Sequence, residues 1–179
     1  MPNWCDNSVV LRHEDPTMIA RAVSAFASGN FCAEFSPIPE ELRNTTSPNR
    51  DEKQTAELLE KYGYADWYSY CVNEWGTKWD FGDGDGINDV QTNECTLFFQ
   101  SAWSPPLTLM AKLEEMGFGV RLLYHECGMA FCGIYEDGYD DYYEYGGASI
   151  EDIKNQLPEE LDEAFCITEN MSLNEESDE

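Results

Sequence analysis

The sequence predicts an α+β fold in which an antiparallel sheet carries helices on one face. Three observations predict it: short β-branched or aromatic runs, longer stretches with apolar residues at helical spacing, and the order in which the two alternate. A chain of 179 residues is long enough for one domain with an insertion or a tail. Hydrophobic residues make up 42% of it, so a sizeable core is expected despite the high charge.

The N-terminal part predicts a strand followed by a helix. Residues 8–12 (SVVLR) form a short β-branched run, and Asp15-Pro16 then supplies a helix cap and a first-turn proline. Apolar residues recur at helical spacing from there to Gly29-Asn30. Residues 31–50 contain three prolines and the polar stretch NTTS, which favours a long ordered loop.

The middle of the chain predicts a helical insertion over residues 51–80. Residues 51–62 are helical by composition, and residues 65–77 place several aromatic side chains at helical spacing, which would anchor the insertion on the core. Residues 80–89 (DFGDGDGIND) predict a loop through their glycines and aspartates. Residues 96–100 (TLFFQ) predict the next strand.

The remaining elements complete the expected connectivity. A helix is predicted from Ser104 through Met116, residues 120–125 and 129–135 predict a hairpin, and residues 142–145 are a candidate for another strand. Residues 149–165 have helical spacing with an interruption at Pro158, and residues 168–179 form an acidic tail. Without the insertion, this order is that of a ferredoxin-like α+β sandwich, so we expect a single domain over residues 1–167.

The charge excludes several classes of function. The chain has 36 Asp and Glu against 10 Lys and Arg, for a net charge of −26. A surface this negative repels phosphate, so we expect neither direct nucleic-acid binding nor binding to an anionic membrane. No membrane-spanning stretch and no signal peptide are apparent, which predicts a cytoplasmic protein of a host bacterium. The seven scattered cysteines predict free thiols.

Four short motifs are spread over most of the chain. They are residues 1–7 (MPNWCDN), 75–80 (WGTKWD), 101–106 (SAWSPP) and 124–133 (YHECGMAFCG). In this order they resemble the signatures of the YubB-like proteins of phages and conjugative plasmids. The resemblance implies a ferredoxin-like core and an origin in a mobile element, where small acidic proteins that blunt host defence are common. It implies no catalytic residue, and the acidic C-terminal third departs from the family pattern.

The aspartate-rich loop contains carboxylates that could in principle bind a cation. Residues 84–89 (GDGIND) match a magnesium-binding element of haloacid-dehalogenase-type phosphotransferases, but the nucleophile motif of those enzymes is missing, which favours a solvated turn. Aligned as a calcium loop, the first and twelfth positions would be Phe81 and Thr92, which have no carboxylate. We therefore predict no metal and no cofactor. The weak candidates for a cation site are Asp80, Asp83, Asp85 and Asp89.

Enzymatic motifs are missing from the sequence. It contains no Gly-x-Ser-x-Gly, Walker A or HExxH element, and its two histidines suggest no catalytic triad. Trp75 and Trp79 would form a ligand pocket if both indoles lined a groove, with Lys78 as an anion-facing donor. The favoured interpretation is that the two indoles lock the insertion onto the sheet. The prediction is a non-enzymatic protein with no catalytic residues.

The acidic residues are concentrated towards the C-terminus. Residues 134–179 hold 16 acidic residues and one basic residue, whereas residues 1–133 hold 20 acidic and nine basic residues. Residues 135–145 interleave five tyrosines with five carboxylates, a combination suited to a basic protein surface. The predicted partner-binding residues are Glu136, Asp137, Tyr139, Asp140, Asp141, Tyr142, Tyr143 and Glu144. A second acidic ridge consists of Glu159, Glu160, Asp162 and Glu163.

These observations favour one function and leave others open. The leading hypothesis is a non-enzymatic mobile-element protein that binds and inhibits a basic host protein that handles nucleic acid, of the restriction or CRISPR type, by mimicking DNA. One alternative is a small-ligand or divalent-cation module around Trp75, Trp79 and the aspartate loop. Another is an accessory protein of phage replication or assembly whose acidity serves solubility. Pairing of edge strands would allow a homodimer, although nothing in the sequence specifies one.

Overall fold

A six-stranded antiparallel sheet forms the centre of the computed structural model, which describes residues 3–177. Its strands are β1 (Trp4–Arg12), β2 (Ile87–Val90), β3 (Glu94–Ala102), β4 (Gly119–Glu126), β5 (Phe131–Glu136) and β6 (Tyr139–Glu144). Their spatial order is β2-β3-β1-β4-β5-β6. β1 is central, and Val9 lies opposite both Leu97 of β3 and Leu122 of β4.

Helices precede, separate and follow the strands. They are α1 (Pro16–Ala27), α2 (Phe31–Phe35), α3 (Glu40–Arg43), α4 (Glu52–Tyr62), α5 (Trp67–Glu74), α6 (Leu107–Glu115), α7 (Ile150–Gln156), α8 (Glu159–Phe165) and α9 (Ile167–Ser177). Capping side chains start several of them: Asp15 accepts from Thr17 N at α1, and Ser149 accepts from Asp152 N at α7.

The connectivity is the one expected from the sequence. The succession β1, α1, β2, β3, α6, β4 with spatial order β2-β3-β1-β4 consists of two split β-α-β units. β5 and β6 extend the sheet beyond β4 as antiparallel hairpins. The predicted α+β class with an antiparallel sheet is therefore confirmed.

The first face of the sheet carries the main core. Alternate residues of β1, β3 and β4 point into it, and Val9, Leu97 and Leu122 are fully buried there beneath α1, α2 and α6. The rings of Phe81 and Phe99 stack with centroids 3.9 Å apart. This cluster joins residues from Cys5 to Tyr135, so it links most of the chain.

The second face is covered over half of its width by α7–α9, whereas the sequence predicts helices on one face of the sheet. Leu123 of β4 and Ile134 of β5 pack with Ile153 of α7 and Leu161 of α8. Both alternating sets of residues in β4 and β5 contain apolar side chains, so both sides of these strands need cover. The part of this face formed by β1 and β3 remains open, and Phe98 there is 46% exposed.

Two predicted loops contain regular structure. The loop predicted for residues 31–50 contains α2 and α3. The sequence does not predict them because helices of five and four residues are too short to show helical spacing. The prolines of this segment lie outside both helices. Residues 80–89 run into β2, an edge strand in which only Ile87 packs on the core, so no alternation is visible in the sequence. The predicted interruption at Pro158 is confirmed, and the acidic tail is helical over its described part.

Candidate functional site

The four sequence motifs meet at one end of the sheet, where β1 begins and β3 and β4 end. Trp103 N donates to the carbonyl of Asn3 at 2.9 Å, which joins the first and third motifs. Ala102 N donates to Thr77 Oγ1 at 3.0 Å, which joins the third and second. Residues far apart in the chain thus form one hydrogen-bonded unit.

The fourth motif is attached through the buried carboxylate of Glu126. This side chain accepts from Gly128 N at 2.8 Å and from Met129 N at 2.7 Å, and Asn3 Nδ2 lies 3.5 Å from it. A Cβ at Gly128 would lie 2.5 Å from Asn3 Nδ2, so glycine allows this close approach. The backbone donors satisfy a carboxylate that would otherwise be costly to bury.

The two tryptophans of the second motif have different environments. Trp75 is 3% exposed, and its Nε1 donates to the carbonyl of Ser36 at 2.7 Å, which fixes α5 to the chain after α2. Trp79 is 38% exposed and lies 5.9 Å from Trp4 and 6.4 Å from Trp103, measured between ring centroids. The two indoles therefore do not line a common pocket.

We call Trp4, Lys78, Trp79 and Trp103 the aromatic corner. Lys78 Nζ lies 4.4 Å from the ring centroid of Trp79 and 5.4 Å from that of Trp103, within cation–π range. Trp103 has a φ of 68°, a rare conformation for a bulky residue that costs roughly 1–3 kcal/mol. The corner therefore presents three indoles to solvent at the price of local backbone strain.

A groove of about 940 Å³ begins at the aromatic corner and crosses the open half of the second face. Trp4 and Asp6 of β1 and Phe98 and Gln100 of β3 form its floor. Residues 80–86 form one wall and residues 164–170 the other. Its charged lining residues in the described chain are all aspartates.

The aspartates of residues 80–89 hold the backbone. Asp80 accepts from Cys32 N at 2.6 Å and from Ala33 N at 2.8 Å, and Asp83 Oδ1 accepts from Gly86 N at 2.8 Å. Within residues 3–177, no three His, Cys, Asp or Glu side chains are grouped so that they could hold a metal ion. The weak cation candidates of this loop are thus not brought together as a metal site.

The tyrosine-rich acidic run forms the edge strand β6 and the turn before it. We call residues 136–144 the acidic edge. Tyr139 is 78% exposed, and the carboxylates of Asp140, Asp141 and Glu144 are also exposed. Tyr143 instead packs in the cluster under α7–α9. Asp140 Oδ1 accepts from the buried Tyr124 hydroxyl at 2.6 Å, which together with burial raises the pKa of that tyrosine.

Arg121 joins the acidic edge to the ridge on α8. Its Nη2 donates to Glu160 at 2.5 Å and its Nε donates to Glu136 at 3.1 Å, and these bonds raise the pKa of the guanidinium. Asp162 accepts hydrogen bonds from the backbone N–H and the hydroxyl of Thr168, each at 2.7 Å, so it caps the first turn of α9. Of the twelve predicted partner-binding residues, Tyr143, Glu160 and Asp162 are half-buried and the other nine are exposed.

The sequence did not single out Trp4, Phe98 and Trp103 as site residues. Trp4 and Trp103 lie in the quoted motifs, and this could have marked them as candidates. Their proximity, however, depends on the pairing of Trp4 with Ala102. Phe98 lies in an apolar strand, where nothing in the sequence distinguishes the exposed aromatic residue from its buried neighbours.

Comparison with known proteins complements these observations. No curated protein matches the chain. The crystal structure of protein Api92 from Yersinia pseudotuberculosis is 12% identical and covers 83% of this chain and 100% of its own, with a TM-score of 0.40. No helix within residues 3–177 has the length and apolar character needed to cross a membrane.

A family model gives a second match. A family model described as "Ferredoxin-like domain in Api92-like protein" matches residues 74–167, which is more than half of the chain. The match includes β2 to β4 with α6, the hairpins β5 and β6, and helices α7 and α8. It confirms the ferredoxin-like fold, and the chain belongs to this family of Api92-like proteins.

Proposed function

We propose that this chain is a mobile-element protein that binds a basic, nucleic-acid-handling host protein through its acidic edge and thereby competes with nucleic acid. The observation that carries the proposal is the position of the acidic edge. An edge strand has one row of unpaired backbone groups, and β6 adds exposed tyrosines and carboxylates to that row. Such a strand offers both hydrogen bonds and negative charge to a partner.

The density of charge along the acidic edge supports mimicry of a nucleic-acid strand. At about 3.3 Å per residue, the six residues of β6 span roughly 20 Å. The acidic edge has five carboxylates, two of them at its turn, Glu136 and Asp137. One strand of duplex DNA carries about six phosphates over roughly 20 Å, at one per 3.4 Å. Over that length β6 itself carries three carboxylates, Asp140, Asp141 and Glu144, which is about half the charge of the DNA strand, and the two acidic residues of the turn before it add most of the rest.

Two further observations bear on the proposal. The four motifs resemble those of YubB-like proteins of phages and conjugative plasmids, a context in which inhibitors of restriction or CRISPR proteins occur. His125 accepts or donates a hydrogen bond with Tyr145 at 2.6 Å and packs on Phe165, so it has a packing role on the sheet. The function that we propose is binding and inhibition, and it assigns no catalytic residue.

The test is capture of partners from a bacterial lysate by the full chain, at low and high salt and with excess duplex DNA. We expect a basic nucleic-acid enzyme to be retained and to be released by DNA or salt. The variant combines Asp137→Asn, Asp140→Asn and Asp141→Asn and should retain at least tenfold less of it. The matched control combines Glu52→Gln, Glu57→Gln and Glu60→Gln on exposed positions of α4, with the same change in charge.

Three outcomes would contradict the proposal. Equal retention by the edge variant and the wild type would remove the acidic edge as the binding surface. Equal loss in the edge variant and the α4 control would indicate attraction by total charge alone. If the partner is retained equally at low and high salt and with or without DNA, the result would instead support an accessory role in replication or assembly through an apolar interface.

A further inference from the structure

The open half of the second face is unusually aromatic for an exposed surface. Trp4, Trp79, Phe98 and Trp103 are each between 38% and 46% exposed, although such side chains are normally buried. Trp4 and Phe98 line the groove, and Trp79 and Trp103 adjoin it through the contact of Trp79 with Trp4. The corner alone contains three of the five tryptophans of the chain. Exposed aromatic patches rimmed by polar residues mark interaction sites.

We propose that this groove binds an extended, basic peptide segment of a protein partner, with an arginine or lysine side chain against the aromatic corner. The site is separate from the acidic edge and does not depend on the function proposed for that edge. Its occupant is identified by the charge and the aromatic chemistry of the groove.

The charge of the lining selects a cation. Asp6, Asp83 and Asp85 line the groove, and its lining within the described chain contains no Lys or Arg. A nucleic acid would bring phosphates against these carboxylates, despite the aromatic surface available for stacking. A second copy of the chain would bring a net charge of −26 to the same place. A basic segment avoids both repulsions.

The aromatic corner already holds one cation of the protein itself. The ammonium of Lys78 lies over the rings of Trp79 and Trp103, and at 5.7 Å from the ring of Tyr68. Within the corner, Trp4 lies against Trp79 and is the tryptophan that also lines the groove, so its ring is the one that an incoming side chain would meet. Arginine suits this position because its planar guanidinium stacks on indoles and pairs with carboxylates.

The floor of the groove favours an extended ligand. Asp6 lies opposite Gln100, and Ser8 lies opposite Phe98, so charged, polar and aromatic positions follow each other along paired strands. Gln100 Nε2 donates to Asp6 at 2.8 Å, which holds that carboxylate at the floor. A segment with basic residues at alternate positions places them about 7 Å apart on one side, where they reach successive acceptors.

The test uses two synthetic peptides in a Gly-Ser background without tryptophan. One has arginines at three alternate positions and the other has glutamines there. Binding is followed by the tryptophan fluorescence of the full chain and by anisotropy of a labelled peptide. We expect the arginine peptide to bind at least tenfold more tightly than the glutamine peptide.

Charge-neutral variants separate the groove from bulk attraction. Trp4→Leu and Phe98→Ala leave the net charge unchanged and should each weaken binding of the arginine peptide at least fivefold. The pair Asp83→Asn and Asp85→Asn should weaken it at least tenfold. The triple edge variant loses three charges outside the groove and should change the affinity less than threefold. Circular dichroism of each variant confirms that the fold is kept.

Several results would overturn the site. Equal affinity for the two peptides would show that no cation is recognised. An unchanged affinity in both Trp4→Leu and Phe98→Ala would show that the aromatic floor is not the contact surface. A loss in the edge variant as large as that in the groove variant would assign the binding to total charge. The lysate capture tests the acidic edge separately, so either proposal can fail alone.

Discussion

The two apolar clusters of this protein differ in where their residues come from. The cluster on the first face joins residues from Cys5 to Tyr135 and contains side chains of five strands, β1 to β5, and of several helices. The cluster on the second face uses only residues between Leu123 and Met171, from the last three strands and α7–α9. The first therefore holds the fold together, whereas the second attaches a local cover to one half of the sheet.

This difference explains where the exposed surfaces lie. The C-terminal helices cover β4 and β5, and their edge with β1 and β3 becomes a wall of the groove. On the other side they join the acidic edge through Arg121. Both proposed binding surfaces thus border the same partial cover.

The largest expected effect is in the first-face cluster. Leu122→Ala removes a fully buried side chain from the central part of the sheet, where paired strands on both sides limit relaxation. We expect the free energy of unfolding to fall by about 3–5 kcal/mol. Urea denaturation followed by far-UV circular dichroism measures it. A loss below about 1 kcal/mol would mean that this cluster does not dominate stability.

A smaller and more local effect is expected in the second cluster. Leu161→Ala opens a cavity beneath α8, which can shift because it is bound on one side only. We expect a loss of about 2–3 kcal/mol. Hydrogen exchange should accelerate in α7–α9 while the amides of β1 and β3 keep their protection. Equal acceleration in both regions would show that the two clusters unfold as one.

The attachment of α9 should be sensitive to a single cap. Asp162→Ala removes the acceptor of both the backbone N–H and the hydroxyl of Thr168. The expected loss is about 1 kcal/mol, measured by thermal denaturation. Glu163→Ala next to it is the control, because Glu163 is exposed and its loss should cost less than about 0.5 kcal/mol. Similar effects of the two variants would remove the capping role.

The smallest effect is a dependence on pH that originates in the second cluster. Burial lowers the pKa of His125, while Asp6 and Glu126 oppose the shift. The unfolded chain therefore binds the proton more readily, so stability is complete above about pH 6.5 and falls as the pH is lowered below it. In urea titrations, the difference in free energy of unfolding between wild type and His125→Gln should decrease from pH 7.5 to pH 5.5.

A constant difference between these two proteins across that range would contradict the assignment to His125. His13→Gln is the matched control, since it removes the other histidine of the chain at the far end of the sheet. The same comparison in the Leu161→Ala background should show a weaker pH effect, because a displaced α8 no longer buries the imidazole.

The fold was largely predictable because its strong signals are local. Residues 16–27 have a cap, a first-turn proline and a regular apolar spacing, and they form α1 as predicted. The short helices α2 and α3 and the strand β2 lack such repetition, and packing determines them: α2 lies against α1 and α6, α3 against α5, and β2 against β3. The position of α7–α9 on the second face could not be predicted from local patterns either, because it depends on tertiary packing. The sequence VRLLYH of β4 does have apolar residues on both faces.

The site was predictable only in part. The tyrosines and carboxylates of residues 136–144 are adjacent in sequence, so their grouping needed no knowledge of the fold. Trp4, Trp79 and Trp103 are about 100 residues apart at the extremes, and strand pairing brings them together. Register between distant strands depends on the complete sheet, which no local pattern contains.

The distribution of thiols gives each apolar layer its own chemical reporter. Burial raises the pKa of Cys95 under the first-face helices and of Cys132 under α7–α9 to about 11 in both cases. Equal acidity means that a maleimide or disulfide reagent would distinguish the two thiols by how often each layer opens. Cys127 and Cys166 are exposed and would react first. A time course of alkylation would thus record the lifting of the C-terminal cover before the sheet itself opens.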